Sequence, residues 1–227
     1  MPSTLRRKET TQELDQLAMA YLDAKMAVID AGFSFEIDWQ ENIDFDRVNE
    51  SGFLREAAWV VLASGFRESV VRKVFPYISD SFLNWESADA IVANRAACLS
   101  SAVEWFGNRR KIEAIGNIAS QVHERGVDRI KSDVRTKGIC SLEWLDFIGP
   151  ITSHHLAKNL GYETAKPDRH LERVSASVGC PCPQTLCRTL ADYISEPVAV
   201  VDIVLWRFFA LNAISPFSSL ATCGIAW

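Results

Sequence analysis

Glycine and proline are scarce in this chain, 11 and 8 of 227 residues, which excludes collagen-like, low-complexity and wholly disordered classes. An uninterrupted apolar run is also missing. The most hydrophobic stretch, residues 197–213, is broken by Asp202 and Arg207. It is too short and too charged to span a membrane, so no membrane partner is expected. No segment alternates apolar and polar residues over enough positions to build a sheet. Excess positive charge is absent as well, since 24 Lys/Arg stand against 29 Asp/Glu for a net of −5. Bulk basicity therefore does not advertise a nucleic-acid partner.

The charge is uneven, however. Residues 1–50 hold 11 acidic and 5 basic side chains, whereas residues 51–174 hold 17 basic and 15 acidic ones. Basic groups that converge on one face can bind phosphates even in an acidic protein, because screening makes local charge matter more than the total. The start, Met1 to Lys8, is basic but leads into Glu9 and Glu13 rather than an apolar core, so no secretory signal is read there. The six cysteines (98, 140, 180, 182, 187 and 223) are accordingly expected as reduced thiols. Cys180-Pro-Cys182 and Cys187 lack a second pair at zinc-ribbon spacing, so no metal is expected.

What the chain does have is helical periodicity nearly throughout. Thr10 or Thr11 is positioned to cap a helix running to about Asp30, with Leu14, Leu17, Tyr21, Leu22 and Met26 at helical spacing. An aromatic and acidic stretch, Phe33 to Asn49, follows. Further helices are predicted at 53–64, 67–76, 87–93, 95–106, 109–124, 127–136, 151–160, 169–178, 184–194 and 198–213. Gly65, Pro76, Gly107, Gly126, Gly138, Gly161 and Gly179 punctuate them. The fold class is all-α, read as a compact two-lobed body with a cleft between the lobes.

Leu142 to Gly161 is the informative segment: a short helix, a tight turn around Gly149, then a second helix. Such a turn leaves backbone N–H groups at a helix start pointing outward, where a phosphate oxygen and the helix dipole suit each other. Next comes Lys166-Pro-Asp-Arg-His-Leu-Glu-Arg173, with Asp168 at a helix start. Read alone, Asp168 is either a helix cap or a functional carboxylate, and Gly149 either an ordinary turn glycine or a phosphate-binding one. His154 and His155 are adjacent and do not share a helix face, which speaks against a joint ligand role. Arg109-Arg110-Lys111 opens a helix against the dipole preference, which favours a phosphate partner.

This arrangement resembles the helix-hairpin-helix DNA glycosylases of the endonuclease III superfamily. The family's hairpin, Leu-Pro-Gly-apolar-Gly, is matched by Leu145-Asp146-Phe147-Ile148-Gly149, and its catalytic Asp segment by Lys166-Pro167-Asp168-Arg169-His170. Trp59 to Phe66 is similar to the family's early helix and turn, Asn108 to Ile115 to its Asn-x-Lys-Ala helix start, and Val201 to Trp206 to its last helix. There are departures. Phe147 stands where the first hairpin glycine does. Ile151 stands where bifunctional members carry lysine, with no Lys from Gly138 through Ala157, and the four-cysteine iron–sulfur motif is missing.

The resemblance implies a core over residues 51–227, preceded by an N-terminal helix and acidic, aromatic extension over 1–50. It implies a monofunctional enzyme that flips a damaged or modified base out of double-stranded DNA and hydrolyses its N-glycosidic bond, with Asp168 stabilising the oxocarbenium-like sugar. Phe147, Gly149, Ile151, Thr152, Arg109, Lys111 and Lys158 are the expected DNA contacts, and Phe66 or Arg67 the wedge. Trp39, Phe35 and Trp105 are candidates for the base pocket, Trp39 being equally readable as core. No cofactor is implied. A monomer acting at the nucleoid, or in a nucleus, is expected. Substrates range from alkylated, oxidised or mispaired bases to hypermodified phage bases. A non-catalytic DNA or abasic-site binding module and a bifunctional lyase are the alternatives.

Overall fold

The computed structural model describes residues 3–211, with side chains from Gln12 onward. Every regular element among the described residues is helical. The α-helices are α1 (Ser3–Asp30), α2 (Ser34–Asn42), α3 (Glu50–Ala63), α4 (Glu68–Ser81), α5 (Ala88–Ala93), α6 (Arg95–Trp105), α7 (Arg109–Arg125), α8 (Val127–Lys137), α9 (Pro150–Asn159), α10 (Arg169–Ser177), α11 (Pro183–Ile194) and α12 (Val198–Ala210). Short 3-10 turns lie at Phe45–Arg47, Leu83–Trp85 and Ile139–Leu142. The all-α reading holds, and most boundaries fall within a few residues of the expected ones.

Three elements differ, each for a physical reason. Helix α1 buries Leu17, Tyr21, Ala24 and Val28, whereas Leu22 and Met26 of the expected stripe face outward. Helix α2 lies inside the aromatic and acidic stretch, and its inward positions are Glu36, Ile37 and Gln40, so its apolar period is masked by two polar residues. Helix α4 runs through Pro76 to Ser81 instead of ending there. Pro76 lies on the exposed side of the helix, where its missing amide is tolerated.

The chain forms two compact units. One contains the described residues up to Ile43 and from Gly161 onward, the other Asp44–Leu160. Helix α1 groups with the end of the chain because its apolar face packs on α11 and α12. Helix α12 is the centre of that first unit. It buries Val198, Val200, Val201, Val204, Leu205 and Phe208, as a helix apolar on most sides must. Its charged residues are buried too, and both are engaged. Arg207 grips Glu36 of α2 with two bonds, Nε to Oε2 at 2.8 Å and Nη2 to Oε1 at 2.5 Å. Asp202 accepts the amide of Lys166 at 2.6 Å. Trp206 and Phe209 pack against this core.

The second unit is continuous in sequence and built around α3 and α7. Asn49 caps α3 by accepting the Gly52 amide at 2.9 Å, and Asn108 caps α7 by accepting the Lys111 amide at 3.3 Å. Gly116 lets α6 approach α7, since a Cβ there would stand 3.1 Å from Leu99 and 3.3 Å from Arg95. No helix among the described residues is long and apolar enough to cross a membrane.

Candidate functional site

The hairpin is built by the second unit alone. In place of a short first helix, the 3-10 turn Ile139–Leu142 is followed by successive turns, and α9 then begins at Pro150. The amide of Ile148 closes a turn onto the Leu145 carbonyl at 3.1 Å. Phe147, at the third position of that turn, has φ +65°. The left-handed backbone that glycine would supply is thus adopted by a phenylalanine, at a cost of about 1–2 kcal/mol. Side chains of α7 hold the turn from behind. Asn117 donates to Asp146 Oδ2 at 2.6 Å, while Gln121 accepts the Asp146 amide at 3.0 Å and donates to the Trp144 carbonyl at 2.9 Å.

Gly149 is the N-cap of α9, with extended backbone at φ −119° and no side chain to offer the first turn. Its own amide donates to Thr152 Oγ1 at 2.7 Å. Pro150 has no amide, so Ile151 and Thr152 supply the first N–H groups of the helix. A Cβ added at Gly149 would meet nothing within 4 Å. Neither dihedral strain nor an internal neighbour therefore demands glycine here.

Around this hairpin the structure gathers three of the segments singled out by sequence. Lys111, at the start of α7, is buried, and its Nζ donates to the carbonyls of Val61 at 2.5 Å, Leu62 at 3.0 Å and Ser64. It thereby closes the C-terminus of α3, where carbonyls lack helix partners. The same ammonium lies 4.8 Å from the Phe66 ring centre and 5.3 Å from that of Phe147. Arg110 lies 5.6 Å from the Phe147 ring, and Phe66 contacts Phe106 at 5.0 Å between ring centres. Burial pushes the Lys111 pKa down to about 8.

Two expected phosphate contacts are corrected by this arrangement. Lys111 is inside, with its three donors on backbone carbonyls. Lys158 is also buried, on the side of α9 that packs on α3, where its charge faces the buried Glu56. Burial raises the Glu56 carboxyl pKa, against the pull of Arg55, and Glu56 accepts from Asn159 at 3.1 Å. These groups fix α9 to α3 and are not presented to a phosphate. Arg109 and Arg110 remain exposed at the start of α7, as do Phe66 and Arg67 after α3, Phe66 at 42%. Arg110, which sequence reasoning gave no separate role, is the cation beside Phe147.

Asp168 belongs to the first unit. It caps α10, its Oδ1 accepting the amides of His170 at 2.9 Å and Leu171 at 3.3 Å. Its Oδ2 lies 3.6 Å from the Nζ of Lys166, and the Asp168 side chain is 13% exposed. The loop below is stiff. The Asp168 amide donates to the Lys166 carbonyl at 2.8 Å across Pro167, and Asp202 holds the Lys166 amide. Burial lowers the pKa of His170, partly offset by the Asp168 charge.

The proposed pocket aromatics are divided between the units. Phe35 and Trp39 stand one turn apart on α2, both exposed, so Trp39 is not a core residue. Trp105, at the end of α6, stacks on Tyr77 at 4.1 Å between centres with the pair exposed. His154 and His155 are both half-buried, and burial lowers the His154 pKa. Cys182 stands at the N-cap position of α11 without a side-chain cap bond, and its pKa is lowered by the Thr185 side chain, while Cys180 and Cys187 are buried. Among the described residues no three His, Cys, Asp or Glu side chains converge where a metal ion could be held, and Cys223 lies outside them. Comparison with protein-family models, with curated proteins and with solved structures finds no match to this chain.

Proposed function

We propose that this chain is a DNA glycosylase on the helix-hairpin-helix scaffold, acting as a monomer on double-stranded DNA. It extrudes a damaged or modified base and hydrolyses its N-glycosidic bond with Asp168, leaving an abasic site. The carrying observation is the state of Asp168. One oxygen is locked on two helix amides, and the second, 3.6 Å from the Lys166 ammonium, is the one we assign to the reacting sugar. Fixed negative charge of this kind stabilises the cationic sugar that develops as the base departs. The hairpin supports the reading, with a glycine-capped α9 whose Ile151 and Thr152 amides suit a phosphate, beside exposed Arg109 and Arg110. Phe66, exposed next to the hairpin ring, is the preferred wedge.

The test is mass spectrometry of free bases released from alkylated, oxidised, deaminated and phage-modified DNA. Wild type is expected to release one class that Asp168→Asn does not. A second reading, a binding module without catalysis, is favoured by one observation: capping α10 already accounts for an aspartate at position 168. Tight binding without release from any DNA, unaffected by Asp168→Asn, decides for it.

A further inference from the structure

We infer that the Tyr77–Trp105 pair is a stacking platform for unpaired bases, on a surface of the second unit that binds single-stranded DNA. The choice of DNA over RNA rests on the glycosylase reading of the neighbouring hairpin; the platform itself does not.

Large apolar side chains left in water singly are ordinary, but a contiguous exposed group of them marks a binding surface. Tyr77 of α4 and Trp105 at the end of α6 stack with 4.1 Å between ring centres and 13° between planes. Even so, 46% and 47% of the two residues stay exposed. A stack of two rings can be extended by a third, and every base offers a flat face. The apolar surface continues beyond the pair. Val70, also exposed, stands two turns before Tyr77 on the same side of α4. Trp105 is followed by Phe106, whose ring contacts that of exposed Phe66, and Phe66 shares the Lys111 ammonium with Phe147 of the hairpin.

Cations accompany these rings in a chain that is acidic as a whole. Arg67 is the N-cap residue of α4, Lys73 lies one turn before Tyr77, and Arg109 follows Trp105 by four residues. All three are exposed and form no ion pair among the described residues. Asp80, one turn past Tyr77, and Glu104 are exposed acids, so the phosphates belong on the Lys73 side, toward Arg67 and Phe66. From Arg67 to Tyr77 the chain rises about 15 Å along the helix, enough for about four stacked nucleotides.

The other exposed aromatics lack part of this combination. Trp144 has Arg125 over its ring at 4.7 Å, and Tyr193 gives its hydroxyl to Asp15. Phe35 and Trp39 stand on α2, which carries Asp38 and Glu41 but no Lys or Arg.

The experiment measures fluorescence anisotropy of the full chain with a labelled oligothymidine of about twelve nucleotides, and with an abasic strand of equal length and charge. Wild type is expected to bind the thymidine strand at least tenfold more tightly, because phosphates alone cannot stack. Tyr77→Ala and Trp105→Ala should each weaken that binding at least fivefold with helical circular dichroism unchanged, and Trp105→Phe should keep most of it. Equal binding of the two strands, or no binding of either, overturns the inference. So does an equal loss for the alanine variants on a blunt duplex, which would make the pair part of a duplex surface. Tighter binding of oligouridine than of oligothymidine overturns the choice of DNA. Base release by the wild type is scored separately: strand binding without release keeps this surface and sinks the glycosylase reading, and release without strand binding does the reverse.

Discussion

Because Oδ1 of Asp168 accepts the amides of α10 while Oδ2 faces Lys166, the structural duty of this residue can be separated from the chemical one we propose for it. Asparagine caps a helix as well as aspartate does but carries no charge. Asp168→Asn should therefore leave stability within about 0.5 kcal/mol, whereas Asp168→Ala should lose about 1 kcal/mol in urea denaturation. Both should slow base release by at least about a hundredfold. Equal stability losses for Asn and Ala would remove the capping argument. The capping position of Asp168 was legible in sequence, since the residue stands just before an amphipathic run. The role of Lys111 was not. Arg109-Arg110-Lys111 reads as one basic surface, and only the approach of α7 to the end of α3 turns its third member inward. That difference has a measurable signature in DNA binding. Arg109→Gln and Arg110→Gln should each reduce the slope of log affinity against log salt by about 1, and Lys158→Met should leave the slope unchanged. A drop in slope for Lys158→Met would restore it as a phosphate contact.

At the scale of elements, the hairpin turn keeps a left-handed residue without using glycine. Phe147→Ala and Phe147→Gly both delete the ring that faces Lys111 and Arg110, but only alanine retains the strain at φ +65°. The glycine variant should accordingly be more stable than the alanine variant by about 1 kcal/mol, read from paired urea titrations. Reversed order would mean that the turn relaxes out of the left-handed region once the ring is gone. The second helix of the hairpin was recognisable from its glycine, its proline and its apolar spacing. The first was not a helix, because Trp144 to Phe147 follow the turns that Gln121 and Asn117 hold in place. Helix α2 escaped sequence reading for a related reason: a buried Glu36 is intelligible only with Arg207, which lies 171 residues away.

At the scale of the molecule, the two units differ in how the chain supplies them. Asp44–Leu160 is one uninterrupted stretch with its own core and caps. Expressed alone it should unfold cooperatively on heating with a helical circular dichroism spectrum, and a broad, featureless melt would show that it depends on the rest. The other unit was beyond the reach of local pattern, since nothing in residues 1–43 announces that their partners begin at Gly161.

That discontinuity sets an order of events on the ribosome. When α1 leaves the exit tunnel, the surfaces that will cover Leu17, Tyr21, Ala24 and Val28 have not been synthesised. The intervening unit emerges first and can fold while the translating chain continues, which at ordinary rates leaves α1 waiting on the order of ten seconds. For that interval the nascent protein carries a helix whose inward residues have no partner. Chaperone capture and premature self-association would compete for that helix, making the yield of active protein sensitive to translation speed.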